Sequence, residues 1–157
     1  MAYLLDTCVI SDLQRGGRHP GLQAWYNAID VDDLLVPAIA VAEICAGIQS
    51  LNRRGLLKQA KDHEQWLQAL QMTFKVVPFG VRAAAVHGEL ACRVRHDGTP
   101  GFERDVMIAA IAVACGITVA TRNMRHFAAM ADQYPALSVI DPYRIETGSI
   151  REIAQQA

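Results

Sequence analysis

The chain has 157 residues, 52% of them hydrophobic and 20% charged, with 15 basic side chains against 16 acidic ones and a formal net charge of -1. This is the length of one domain with ample apolar material for a core, and it excludes a disordered chain. The charge balance also argues against a protein that coats nucleic acid non-specifically, which needs many phosphate contacts, but leaves room for a local basic patch.

In chain order, the first apolar run is Tyr3-Leu4-Leu5, followed by Leu34-Leu35-Val36. Leu56, Ala60, His63, Leu67, Leu70 and Phe74 then recur in steps of three and four, a helical pattern. Lys75-Val76-Val77 is the third strand-like run, and Val81, Ala84, Ala85, Gly88 and Ala91 repeat the helical spacing. His96 to Gly101 is rich in turn formers and reads as a surface loop. Val106 to Cys115 is a buried helix, which Gly116 separates from the β-branched run Ile117 to Ala120. Leu137 to Ile140 closes the series, and the polar segment from Arg144 to Ala157 reads as a short peripheral helix or a tail. The apolar runs are continuous rather than alternating, as in parallel strands covered on both faces, so the expected class is α/β with a parallel sheet. One domain over residues 1–143 is expected, with 144–157 outside it.

Cys8, Cys45, Cys92 and Cys115 are far apart and each lies in an apolar stretch, so reduced, buried thiols are expected rather than disulfides or a zinc site. Asp6 interrupts the only apolar run near the N-terminus, and no basic segment precedes it, so no export signal is read. The longest uncharged stretch, Val106 to Thr121, falls short of the ~18 residues of a spanning helix. A soluble, cytoplasmic protein without membrane contact is expected.

Three acids stand out by context. Asp6 follows the first strand directly, where open α/β sheets bind ligands; an ordinary helix N-cap would use the same position. Glu43 is the only charge between Pro37 and Ile48, on a helix face shared with Ile39, Ala40, Ala46 and Gly47. A carboxylate on an apolar face requires a cation, either a ligand or one of the arginines. Asp105 opens the apolar helix, where an acid also satisfies free N–H groups; Glu103 precedes it on the same loop. Carboxylates that converge repel one another unless a hard divalent cation compensates them, and on this reading Glu43→Gln raises metal-free stability. Rival motifs fail. No phosphate-binding glycine loop or nucleophile elbow is present, His63-Glu64 lacks the second histidine of a zinc protease, and Cys8 stands where a haloacid-dehalogenase phosphatase needs an aspartate. His19, His87, His96 and His126 have no metal-ligand spacing.

Leu4-Leu5-Asp6-Thr7-Cys8-Val9-Ile10-Ser11 resembles the N-terminal motif of PIN-domain nucleases, and Val41 to Ile48, around Glu43, resembles their second acidic motif. Asp105 to Ala112 and Gly116 to Phe127 resemble the third motif and the strand after it. Order and spacing are similar to VapC-like toxins of toxin–antitoxin modules, including the FitB-like branch, from about residue 2 to Tyr143. The resemblance implies a three-layer fold of five parallel strands flanked by helices. It also implies a homodimeric endoribonuclease dependent on Mg²⁺ or Mn²⁺, acting on RNA, with a DNA-binding antitoxin partner through which alone it meets operator DNA.

By matching position, Asp6, Glu43 and Asp105 become catalytic metal ligands, Asn123 a further metal contact, and Thr7 and Thr121 supporting hydroxyls. Arg122 and Arg125 lie just beyond a strand end and are candidates for substrate phosphate, with a salt bridge to Glu43 as the structural alternative. Three positions depart from many relatives: Cys8 stands for asparagine, Asn123 for aspartate, and His126 for an acid just before Phe127. The alternative reading, a PIN-fold regulator without catalysis that acts through antitoxin or DNA, rests on the neutral Asn123.

Overall fold

The computed structural model describes residues 1–16, 19–94 and 98–144. Its sheet has five strands: β1 (Tyr3–Leu5), β2 (Leu34–Pro37), β3 (Lys75–Val77), β4 (Thr118–Ala120) and β5 (Val139–Ile140). They pair in parallel in the order β3-β2-β1-β4-β5. The helices are α1 (Thr7–Gln14), α2 (Pro20–Ala28), α3 (Ala38–Arg53), α4 (Leu57–Thr73), α5 (Val81–Arg93), α6 (Phe102–Cys115) and α7 (Met124–Gln133).

Period-two alternation of the strands feeds two cores. Tyr3, Leu5, Leu34, Val36 and Ala120 point to the layer of α1, α2 and α4, around a fully buried Trp25. Leu4 and Val119 point to the opposite layer of α5, α6 and α7, among Leu90, Ile108, Ile111, Phe127 and Met130. Both faces of β1 are therefore apolar, which is why its run shows no polar alternation. Chemistry-bearing side chains are excluded from the strand and appear at its end, beginning with Asp6.

The chain builds β1, β2 and β3 outward on one side, then crosses to place β4 and β5 on the other. The carboxyl ends of β1 and β4 thus lie side by side where the winding reverses, the usual ligand position of such sheets. The β4 end is reached through a tight helix stop. Gly116 adopts φ 67°, its N–H bonds Val113 O at 3.2 Å, and Ile117 N–H bonds Ala112 O at 3.0 Å. The long uncharged stretch is thus a helix followed by a strand, and among the described residues no helix is long and apolar enough to cross a membrane.

Some boundaries differ from those expected. α6 begins at Phe102, so Asp105 is its fourth residue rather than the residue before it. α2 and α7 were not expected as helices at all. α2 starts on Pro20, and the burial of Leu22 and Trp25 by tertiary packing holds a helix whose own pattern is short. The cysteines also differ. All four are free, but Cys45, Cys92 and Cys115 are exposed and Cys8 is partly buried, so buried thiols were the wrong expectation. Apolar neighbours along a helix do not bury a side chain on its outward face. Of the expected 96–101 turn, residues 98–101 lead into α6, while 96 and 97 lie outside the described residues, as does all of the C-terminal tail beyond Arg144.

Candidate active site

Asp6 occupies the N-cap position of α1, but its carboxylate caps nothing. Its backbone does the structural work: Asp6 N–H bonds Ala120 O at 3.0 Å, and its carbonyl accepts from Val9 N and Ile10 N at 2.9 and 3.1 Å. The side chain, 4% exposed, turns to β4. Its Oδ2 accepts from Thr121 Oγ1 at 2.6 Å and from Cys8 Sγ at 3.0 Å. Burial, then the charge of Asp6, pushes the Cys8 thiol up to about 12, so it remains a protonated donor. Thr121, fully buried, also accepts from Asn123 N–H at 2.8 Å.

Glu43 lies in the second turn of α3 and is held from both sides. Thr7 Oγ1 donates to Oε2 at 2.5 Å, and Arg104 Nε lies 2.5 Å from Oε1. The cation paired with this acid is therefore Arg104, whereas Arg122 pairs with Asp12. Sequence reasoning passed over Arg104, although one signal was available. It stands in the first turn of α6, where the helix dipole disfavours a positive charge, directly before Asp105.

Asp105 points across to α7. His126 Nδ1 lies 2.6 Å from its Oδ2, and Asn123 Nδ2 donates to the same oxygen at 2.9 Å. Asn123 Nδ2 and His126 Nδ1 are also 2.9 Å apart, but the shorter imidazole–carboxylate contact takes the Nδ1 proton. The Asn123 amide hydrogen therefore goes to the carboxylate. The Asp105 carboxyl is raised above its ordinary range: burial is the largest cause, the charges of Asp6 and Glu43 add to it, and His126 opposes it. Asp105 thus feels both other acids across the site.

All three acids line one cavity of about 390 Å³ together with Thr7, Asn123 and His126. Arg104 and Arg125 lie on its wall. Glu103 faces away, 2.7 Å from His87 Nε2 on α5. Arg122 also leaves the cavity. Its guanidinium pairs with Asp12 at 3.0 Å and lies over the Tyr143 ring, lining a neighbouring pocket with Arg15 and His19.

The donor set suits a hard divalent cation: carboxylate oxygens supported by an amide and hydroxyls, in a cavity with mutual repulsion between the acids. Among the described residues, however, no three His, Cys, Asp or Glu side chains are gathered tightly enough to hold an ion as they stand. Arg104 and Thr7 hold Glu43, and His126 and Asn123 hold Asp105.

The family model of the PIN domain matches residues 3–133. The chain belongs to the PIN-domain family. This PIN domain is 32% identical over 142 residues to the VapC ribonuclease Y4jK of Sinorhizobium fredii, covering 89% of the chain and 96% of that protein. It is also 32% identical to Toxin FitB of Neisseria gonorrhoeae over 126 residues, 79% of the chain and 89% of FitB. In three dimensions it is similar to a crystal structure of FitAcB from the same organism, with a TM-score of 0.73 and 29% identity over 91% of this chain and 99% of that one. A structure of FitAB bound to an IR36 DNA fragment matches with a TM-score of 0.66 and 28% identity, covering 92% and 97%. Five parallel strands flanked by helices are thus the expected PIN arrangement, and its relatives are VapC- and FitB-type proteins.

Proposed function

We propose that this PIN domain is a Mg²⁺- or Mn²⁺-dependent endoribonuclease, the toxin of a VapBC-type toxin–antitoxin module. The observation that carries the reading is the convergence of Asp6, Glu43 and Asp105, from three separate elements, on one cavity at the β1/β4 switch point. The relatives named as a VapC ribonuclease and a toxin support the reaction class. The FitAB structure with DNA supports a cognate antitoxin partner that carries operator binding. A homodimer and a cytoplasmic site of action complete the proposal.

Asp6, Glu43 and Asp105 are the residues that hold the ion, with the side-chain carbonyl of Asn123 as a further contact. When bound, the ion supplies Lewis acidity for phosphodiester hydrolysis. The chain's own residues do the rest. Thr121 and Cys8 aim the Asp6 carboxylate by donating to Oδ2, leaving Oδ1 for a ligand. Thr7 orients Glu43, and His126 fixes Asp105. Arg125 lines the same cavity and is the candidate contact for a substrate phosphate.

Purified protein incubated with RNA should cleave in Mn²⁺ and stop in chelator. Asp6→Asn and Asp105→Asn should each abolish cleavage with unchanged circular dichroism. Cleavage at the wild-type rate by either variant overturns that residue's assignment. Wild-type protein inert on every RNA tested in Mg²⁺ and Mn²⁺ overturns the enzyme reading in favour of a regulator without catalysis.

A further inference from the structure

Arg104 stands where local rules disfavour it. It is a cation in the first turn of α6, beside the partial positive charge of a helix N-terminus. Its side chain is 52% exposed. Its head group pairs with Glu43, Nε lying 2.5 Å from Oε1.

The backbone makes room for this pose. Gly101, the residue before α6, takes φ 96°, and a Cβ there would lie 3.1 Å from Arg104 Nη2. Glycine thus serves twice, admitting the left-handed turn and leaving space for the guanidinium. Arg104, Glu43, Asp6 and Asp105 share one cavity wall.

We infer that Arg104 is a substrate-binding residue held in reserve, paired with Glu43 until a divalent ion takes that carboxylate and then released to bind the scissile strand's phosphodiester. This rests on the proposed nuclease reading. Two facts carry it. Glu43 cannot serve an ion with full charge while the guanidinium occupies Oε1 and Thr7 occupies Oε2, and among the described residues no preassembled ligand cluster is present. The freed guanidinium would be a planar, permanently charged fork at the wall of an acidic cavity, a geometry that matches phosphate in two parallel hydrogen bonds. The exchange conserves charge pairing at each stage: Glu43 with Arg104 before, Glu43 with the ion and Arg104 with phosphate after. No covalent bond changes.

The test uses the full chain and two variants, Arg104→Gln and Arg104→Lys. Calorimetric titration with Mn²⁺ in the absence of RNA reads the first half. Removing the resident cation should tighten Mn²⁺ binding about twofold to fivefold in Arg104→Gln, since a partly exposed ion pair is a modest competitor. Steady-state cleavage of an RNA oligonucleotide in saturating Mn²⁺ reads the second half. KM should rise about tenfold in Arg104→Gln with a smaller change in kcat, as expected for loss of a charged hydrogen bond to phosphate. Arg104→Lys, which keeps the charge but loses the fork, should fall between wild type and Arg104→Gln on both readouts.

Unchanged or weaker Mn²⁺ binding in Arg104→Gln overturns the inference, and so does an unchanged KM. Either failure is seen in the variant while wild-type protein still binds Mn²⁺ and cleaves. If wild-type protein itself neither binds Mn²⁺ nor cleaves, the nuclease reading falls, and the inference falls with it.

Discussion

Thr121 Oγ1 donates to Asp6 Oδ2 at 2.6 Å across 115 residues of chain. The same hydroxyl accepts from Asn123 N–H at 2.8 Å. One buried side chain therefore ties the end of β1, the end of β4 and the start of α7 into a single geometry. Thr121→Val keeps the shape and removes both bonds, leaving a buried carboxylate oxygen and a backbone N–H short of partners. We expect a stability loss of about 1–3 kcal/mol and reduced cleavage, with Thr121→Ser close to wild type on both. Denaturant midpoints and RNA cleavage rates measure the effect; a valine variant equal to wild type on both counts would refute the role.

Glu43→Gln should lower metal-free stability. Repulsion among the acids alone implies the opposite sign, but the Arg104 contact at 2.5 Å changes the balance, because neutral glutamine leaves that guanidinium without its ion pair. For a half-exposed pair the expected loss is small, about 0.2–1 kcal/mol. Thermal melts in chelator decide the sign. A raised melting temperature would mean that repulsion from Asp6 and Asp105 outweighs the ion pair.

Asn123→Asp tests the departure at the fourth position. Asn123 Nδ2 donates to Asp105 Oδ2 at 2.9 Å, and a carboxylate there would replace that bond with repulsion. Metal-free stability should fall by about 1.5–3 kcal/mol, the range for losing a hydrogen bond to a charged partner. Mn²⁺ should bind more tightly, because a carboxylate attracts a hard cation more than an amide does. Calorimetry and melts with and without chelator read both; unchanged affinity would place Asn123 outside the ligand set.

The raised Asp105 carboxyl gives a pH dependence of definite sign. The native state binds this proton more tightly than the unfolded chain does. Stability from this group is therefore fully present below the unfolded value and is lost as pH rises through the higher folded one. In chelator, wild-type protein should lose stability relative to Asp105→Asn as pH rises from about 4, near the ordinary aspartate value. Denaturant midpoints across that range check it, and a pH-independent difference would show that Asp105 does not carry the shift.

Cys8 should be the last thiol to react. Its Sγ donates to Asp6, and burial and that charge raise it to about 12, whereas Cys45, Cys92 and Cys115 are exposed. At neutral pH the thiolate is the reactive form and Cys8 holds almost none. Timed alkylation followed by mass spectrometry should modify three sites first. Early modification at Cys8 would contradict the Asp6 contact.

Much of the frame was legible in the chain because it rests on local patterns. Continuous apolar runs at Tyr3–Leu5 and Thr118–Ala120 marked strands covered on both faces, and Gly116 marked the helix stop. Asp6 and Glu43 stood out because each breaks an apolar stretch, where charge needs a reason, and Asp105 because it opens one. Less local features were missed. α2 draws its stability from packing Leu22 and Trp25 rather than from its own spacing. Three cysteines lie on outward helix faces despite apolar neighbours in the chain.

By itself, then, the sequence determined the class of fold, the order of its strands along the chain, and which acids are chemically conspicuous, since periodicity and charge in an apolar run are properties of neighbouring residues. The tertiary structure alone decided their partners. Whether Asp6 caps α1 or faces β4, whether Glu43 pairs with Arg104 or Arg122, and whether Asp105 meets His126 depend on side-chain directions at the β1/β4 switch point. Those contacts join residues far apart in the chain, and only the packing of α6 and α7 against one face of the sheet brings them within hydrogen-bond reach.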